Sequence, residues 1–412
     1  MIARRSRFNG VLVFALLGVA MACRGQSPRQ AEEGMLRHLV DSLRGRVEQA
    51  TKLTFRTPPR SALRTREQVR RYLLAKLDQE LPPKRMRGLE TAYRLFGLLP
   101  DTLELRGLLL DLYAEQVAGY YDPDSATLFG VAGASRDELR LVLAHEMVHA
   151  LQGEYLPLDS ILEATANNDR LTAAQAVLEG QATIASIEVL APGQHVTETP
   201  QFWEMYRDQV REKQSLMPVF ARAPLVVREA LIFPYLDGAE FMYWWNTSGP
   251  RDTMPYGRRM PVSTEQILHP ERYARGDQPV DLAFAPDSGV LYEDVLGENE
   301  IRVLLASLAK SDEVGAVVPL GWGGDRFRVY DTPAGPALVW YVVWDDQRAA
   351  GRFARTAGPA LGRTQRPGYR AQFDTLTVEG RAAVRYVLAP EGWGRWQALP
   401  AVSVGGETRE SP

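Results

Sequence analysis

A single cysteine in 412 residues excludes any disulfide within the chain, so packing must hold the fold without covalent cross-links. Histidine is almost as scarce, with five copies, and any clustering of it is therefore informative. There is no run of like charge, no low-complexity tract and a formal net charge of only −3. No basic patch interleaves with aromatics, so a nucleic-acid partner is not expected. What remains is the composition of a globular protein, 45% hydrophobic and 24% charged, on a chain long enough for two or three structural units.

The N-terminus reads as a targeting segment. Arg4, Arg5 and Arg7 precede an apolar stretch, residues 10–21, that is shorter than a bilayer span, and Ala20-Met21-Ala22 forms a small-residue cleavage region. Residues 1–22 are thus expected to be a signal peptide. Cys23 directly follows, and its position resembles the lipobox of bacterial lipoproteins, although Ala20 stands where a bulkier aliphatic is usual. That resemblance implies lipidation of Cys23, a polar tether over residues 23–30 and an exported protein anchored to a membrane of the bacterial cell envelope. Removal of residues 1–22 takes away three arginines and no acid, shifting the formal charge from −3 to −6. The body would then be held at the membrane by its anchor and not by electrostatics.

Residues 31–116 follow a helical period, with Leu36, Leu39, Val40 and Leu43 and then Val69, Tyr72, Leu73 and Leu77 spaced by three and four. Pro82-Pro83 separates a third helix containing Leu89, Tyr93 and Phe96, and a fourth is expected over 104–116. In residues 117–131, VAGYYDPDSATLFGV, the Asp122-Pro123-Asp124-Ser125 cluster lies between two β-prone runs and predicts a hairpin. Its aspartates are read as turn formers and not as calcium ligands. Helices are expected over 136–153, 171–190, 202–216 and 225–245, and PVSTEQILHPERY, residues 261–273, reads as a short capped helix closed by His269-Pro270. Residues 291–412 change texture. A helix over 298–309, a glycine-rich turn at 321–324 and a strand, strand, helix, strand, strand succession predict a small ββαββ-type α+β accessory domain without an active site of its own.

LVLAHEMVHALQG, residues 141–153, carries the chemistry. On a helix His145 and His149 lie one turn apart on one face, so both can reach one zinc ion. Glu146, next to the first of them, is placed to act as general base on a metal-activated water. It is the only charge between residues 141 and 152, and a lone carboxylate in an apolar helix is costly without a metal, water or partner. Gln152 and Tyr155 occupy the positions where a metzincin has glycine and histidine, so a third ligand must come from elsewhere. Among the downstream acids, Glu154 and Asp159 lie too close to turn back, and Glu163 and Asp169 read as solvated. Glu179 stands in a helix among Ala176, Gly180, Ala182, Thr183 and Ser186, small residues that let a second helix approach closely.

HEMVH followed by Glu179 in EGQAT resembles the gluzincin arrangement of zinc metallopeptidases, and the preceding hairpin is similar to the edge strand with which that family aligns substrate. More narrowly, VAGYYDPDSATLF, LAHEMVHALQ, EGQAT, FPYLDGAEF and STEQILHPERY resemble a poorly characterised group of bacterial peptidases of this class over residues 63–273, continuing more weakly into GWGGDR. The resemblance implies a zincin-like catalytic domain over 117–290, Zn2+ held by His145, His149 and Glu179, Glu146 as general base, and a protein or peptide substrate. It also implies a tyrosine or histidine that stabilises the oxyanion. Tyr235 and His269 are the foremost candidates, with Tyr120, Tyr121 and His195 left open. The expected activity is endopeptidase. A zincin scaffold kept as a non-catalytic envelope binding or assembly module is the alternative, and a zinc hydrolase acting on esters or glycans is a third.

Overall fold

The computed structural model describes residues 28–405, except 159–160, 162–166, 251–252 and 364–365. The expectations for the signal peptide and for Cys23 lie outside the described residues, as do Asp159 and Glu163. Residues 28–30, expected in the tether, form the first turn of a helix.

The chain is α+β. Its first half runs α1 (Pro28–Thr51), β1 (Arg60–Arg64), α2 (Arg66–Glu80), α3 (Pro83–Phe96), α4 (Leu105–Gln116), β2 (Gly119–Asp122), β3 (Thr127–Val131), α5 (Arg136–Tyr155) and α6 (Asn168–Leu190). Helices α7 (Pro200–Ser215), α8 (Pro218–Arg222), α9 (Leu225–Ser248), α10 (Thr264–Leu268) and α11 (Pro270–Ala274) follow. The remainder comprises β4 (Leu282–Phe284), β5 (Val290–Asp294), α12 (Gly297–Ala309), α13 (Asp312–Val317), β6 (Trp322–Tyr330), β7 (Ala337–Trp344), α14 (Gln347–Gly362), β8 (Tyr369–Val378), β9 (Arg381–Pro390) and β10 (Val402–Val404). Among the described residues no helix is long and apolar enough to cross a membrane.

Among the described residues three sheets form, in the orders β1-β3-β2, β10-β4 and β5-β6-β7-β9-β8. Strand β1 corrects the expectation of helix throughout residues 31–116. It pairs parallel to β3, from Arg60 opposite Thr127 to Arg64 opposite Val131. Five residues with charged ends carry little periodicity, and only the distant partner makes them a strand. The second correction concerns residues 321–324: Gly321 ends a turn over 318–321, but Trp322, Gly323 and Gly324 already belong to β6, which opens through a bulge. Gly324 there has φ +140°, and a Cβ on it would lie 2.3 Å from the Val280 carbonyl oxygen, so only glycine fits. The ββαββ succession of β6, β7, α14, β8 and β9 is present, with β5 added at the edge.

Leu36, Leu39, Val40, Leu43 and Val47 of α1 bury against Leu143, Met147, Val148 and Leu151 of α5 and Ala182, Ala185 and Val189 of α6. The other side of α6 packs against α9. A Cβ at Gly180 would stand 2.2 Å from Gly238 O, and one at Gly238 would stand 2.1 Å from Ala176 O. The small residues around Glu179 thus serve two contacts, with Ala182 facing α5 and Gly180 facing α9. Further on, Phe96 of α3 meets Phe327 and Trp340 edge-on at 5.4 and 5.2 Å, so the early helices and the large sheet share one core.

Candidate metal centre

Helix α5 starts in a capping box: Glu138 N–H donates to Ser135 Oγ at 3.2 Å, and Ser135 N–H donates to Glu138 Oε2 at 2.8 Å. From this fixed start, Leu139, Leu143, Ala144, Met147, Val148 and Leu151 are buried, which turns His145, Glu146 and His149 toward α6. Two residues later than β2 begins, Tyr121 N–H donates to Glu146 Oε2 at 2.9 Å, tying the edge strand to the same point.

His145, His149 and Glu179 come together. Their ligand-capable atoms lie within 4.8 Å of one another and form the one such group among the described residues. His145 Nε2 is 3.0 Å and His149 Nε2 3.3 Å from Glu179 Oε2, and the two Nε2 atoms are 3.1 Å apart. Two imidazole nitrogens and one carboxylate oxygen converging on one point fit the donor set of a divalent metal ion. The side chains keep 18% and 24% of their accessible surface, so the cluster is reachable from solvent.

The electrostatics follow from this proximity. Burial pushes the Glu146 carboxyl up, although both histidines oppose it. Burial pulls against charge on His149, yet Glu179 beside it drives the imidazole above its ordinary value. Burial likewise opposes the Glu179 anion, but His149 and the hydrogen bonds from both histidines hold it well below the usual carboxylate range. Glu179 is thus held ionised by positive charge on the imidazoles beside it, charge that a bound cation would supply in their place, and the raised carboxyl of Glu146 suits a proton acceptor.

Of the oxyanion candidates, Tyr235 is brought to the cluster, its ring 5.7 Å from that of His145. Glu179, and then burial, raise its hydroxyl well above the usual tyrosine range. His269 is engaged elsewhere, with Nε2 2.9 Å from Glu298 Oε1. His195 is exposed and pairs with Glu198 at 3.0 Å. Tyr120 stacks on Tyr72 with ring centroids 4.5 Å apart, and its hydroxyl accepts from Arg64. Tyr121 contributes its backbone to the site. In the hairpin turn, Asp122 accepts from Tyr72 at 3.2 Å and Ser125 at 2.6 Å, and Asp124 pairs with Lys76 at 2.8 Å, the work of turn formers.

Glu154 is taken up by the backbone of Arg56 and Thr57, away from the histidine pair. Asp169 is buried, 1% exposed, and not solvated. It accepts hydrogen bonds from the Thr264 backbone and hydroxyl, a partner 95 residues away that the local polar sequence does not reveal. Sequence reasoning also missed Gln152, which is fully buried with Oε1 2.8 Å from His149 Nδ1. The available signal was its position three residues after His149, on the same helix face.

Residues 288–393 match the family model of a domain of unknown function (DUF8575). That match covers a minority of the chain and leaves out the histidine cluster. No curated protein matches. Among solved structures, a protein from Chloroflexus aurantiacus, provisionally called a hydrolase with a novel fold, is similar at a TM-score of 0.40 and 16% identity, covering 62% of this chain and 93% of its own. At that distance nothing about activity passes from it to this chain.

Proposed function

We propose that the protein is a zinc-dependent endopeptidase with a zincin-like core of the gluzincin type. The observation that carries this reading is the convergence of His145, His149 and Glu179 from two helices, with Glu146 alongside. His145, His149 and Glu179 would hold the ion. When bound, zinc supplies Lewis acidity toward a scissile carbonyl and toward water. Glu146 takes the proton from the attacking water and delivers it to the leaving amine, and its upward-shifted pKa suits both directions of transfer. The Tyr235 hydroxyl, kept protonated by Glu179 nearby, can donate to the developing oxyanion. Strand β2 ends the β1-β3-β2 sheet, so an extended peptide can add to its free edge beside Glu146.

Zinc analysis of the purified protein, together with casein cleavage by the wild type and by Glu146→Gln, tests this. The expected result is one zinc in both proteins and a loss of cleavage of about 10²–10⁴-fold in the variant. Absence of zinc, or cleavage unchanged in Glu146→Gln, overturns the proposal. Stoichiometric zinc without cleavage in the wild type would favour the non-catalytic scaffold instead. The proposed setting, a bacterial envelope protein anchored by lipid on Cys23, is checked separately by the mass of the mature N-terminal peptide.

A further inference from the structure

The buried amide of Gln152 occupies a position whose hydrogen bonds admit one orientation. Its Nε2 lies 2.9 Å from Leu178 O and 2.8 Å from Gln181 Oε1. The Leu178 carbonyl can only accept, so the nitrogen must face it and Oε1 must face His149 Nδ1, 2.8 Å away. The opposite orientation would set the Gln152 oxygen against a carbonyl oxygen and leave a buried amide donor misdirected. The Gln181 side chain is itself fixed: its Oε1 accepts from Tyr256 Oη, and its Nε2 lies 3.7 Å from Met254 Sδ. A chain of hydrogen bonds therefore runs from residues 254–256, through Gln181 on α6 and Gln152 on α5, to the far side of the His149 ring.

We propose that Gln152 is the positioning residue that locks His149 in the tautomer carrying the proton on Nδ1, so that the Nε2 lone pair faces His145 and Glu179. The inference rests on the metal reading above and deepens it. An acceptor-only oxygen at Nδ1 leaves Nε2 of the neutral imidazole without a proton, the form in which it can ligate. The same bond fixes the ring about its Cβ–Cγ axis, and because the acceptor is a neutral amide it does this without adding a second negative charge beside Glu179. α6 contributes both Glu179 and the Leu178 carbonyl that orients Gln152, so one turn of helix sets the third donor and the tautomer of the second.

The test reads metal affinity and ring tautomer, and needs no turnover. In zinc-loaded wild-type protein labelled with 15N-histidine, His149 is expected to show a proton on Nδ1 that exchanges slowly with solvent and a metal-bound Nε2. Competition titration against a chelator is expected to give a zinc affinity about 10–100-fold weaker for Gln152→Leu than for wild type. Gln152→Glu, which as a buried acid can both accept from Nδ1–H and donate to Leu178 O, is expected to recover most of that loss. If the wild type binds zinc but carries the proton of His149 on Nε2, or if Gln152→Leu binds zinc as tightly as the wild type with an unchanged histidine spectrum, the positioning role is overturned and the metal reading stands. Failure of the wild type to bind zinc overturns the metal reading and this inference together. The wild-type spectrum decides the matter even if the leucine variant does not fold.

Discussion

At the scale of single residues, the site combines groups of unequal visibility. Tyr235 is the clearest residue-scale prediction. Its hydroxyl pKa is raised well above the usual range, first by Glu179 and then by burial, so it remains a donor throughout the working pH range. Tyr235→Phe is expected to lower kcat by about 10²–10³-fold while zinc affinity stays at the wild-type value. Steady-state kinetics alongside a zinc titration check this, and an unchanged kcat would reduce Tyr235 to a wall of the site. His145, Glu146 and His149 are legible in the sequence because the i, i+4 spacing is local and histidine is rare. Gln152 offers only its position three residues after His149, and Gln181 nothing local, since the pairing of the two amides spans 29 residues. The burial of Asp169 is hidden for the same reason: its partner Thr264 is remote.

At the scale of elements, the approach of α6 to α9 matters most for where Glu179 stands. Gly180, its neighbour in sequence, touches the Gly238 backbone, and a Cβ there would sit 2.2 Å from Gly238 O. Backbone cannot yield as a flexible side chain does, so Gly180→Val should push the helices apart, costing about 1–3 kcal/mol of stability and weakening zinc binding through displacement of Glu179. Urea denaturation with a parallel zinc titration measures both, and a variant as stable and as tight-binding as the parent would show that the contact is dispensable. The helices themselves follow from period and caps, as with Ser135 and Glu138 at the start of α5. Strand β1 does not, because a five-residue strand gains its stability from β3, which lies more than sixty residues further along the chain.

At the scale of the whole molecule, a set of buried acids joins helix α6, which carries Glu179, to the second half of the chain. Asn168 N–H donates to Asp294 at 2.7 Å and its side-chain amide to Glu300 at 2.8 Å. Asp325 accepts from Leu296 N, Gly297 N and the indoles of Trp322 and Trp340. Burial pushes Asp169 up to about 8, Glu300 up to about 8 and Glu265 up to about 9. These groups hold protons in the folded protein that the unfolded chain releases near pH 4. Unfolding then releases protons, so stability falls as pH rises. The contribution is full below about pH 4, declines as pH passes through the folded values near 8 to 9, and is absent above them. Urea midpoints measured with zinc present should therefore drop steadily between pH 5 and pH 9, and a flat or rising series would contradict the assignment.

The clamp at Asn168 and Asp169 also has a mechanical meaning. Glu179 lies ten residues further along the same unbroken helix, about 15 Å at 1.5 Å per residue. A helix of this length is stiff along its axis, so a displacement of its first turn by α12 or β5 would be carried along it toward the Glu179 carboxylate. The second half of the chain thereby holds the far end of the helix that carries Glu179.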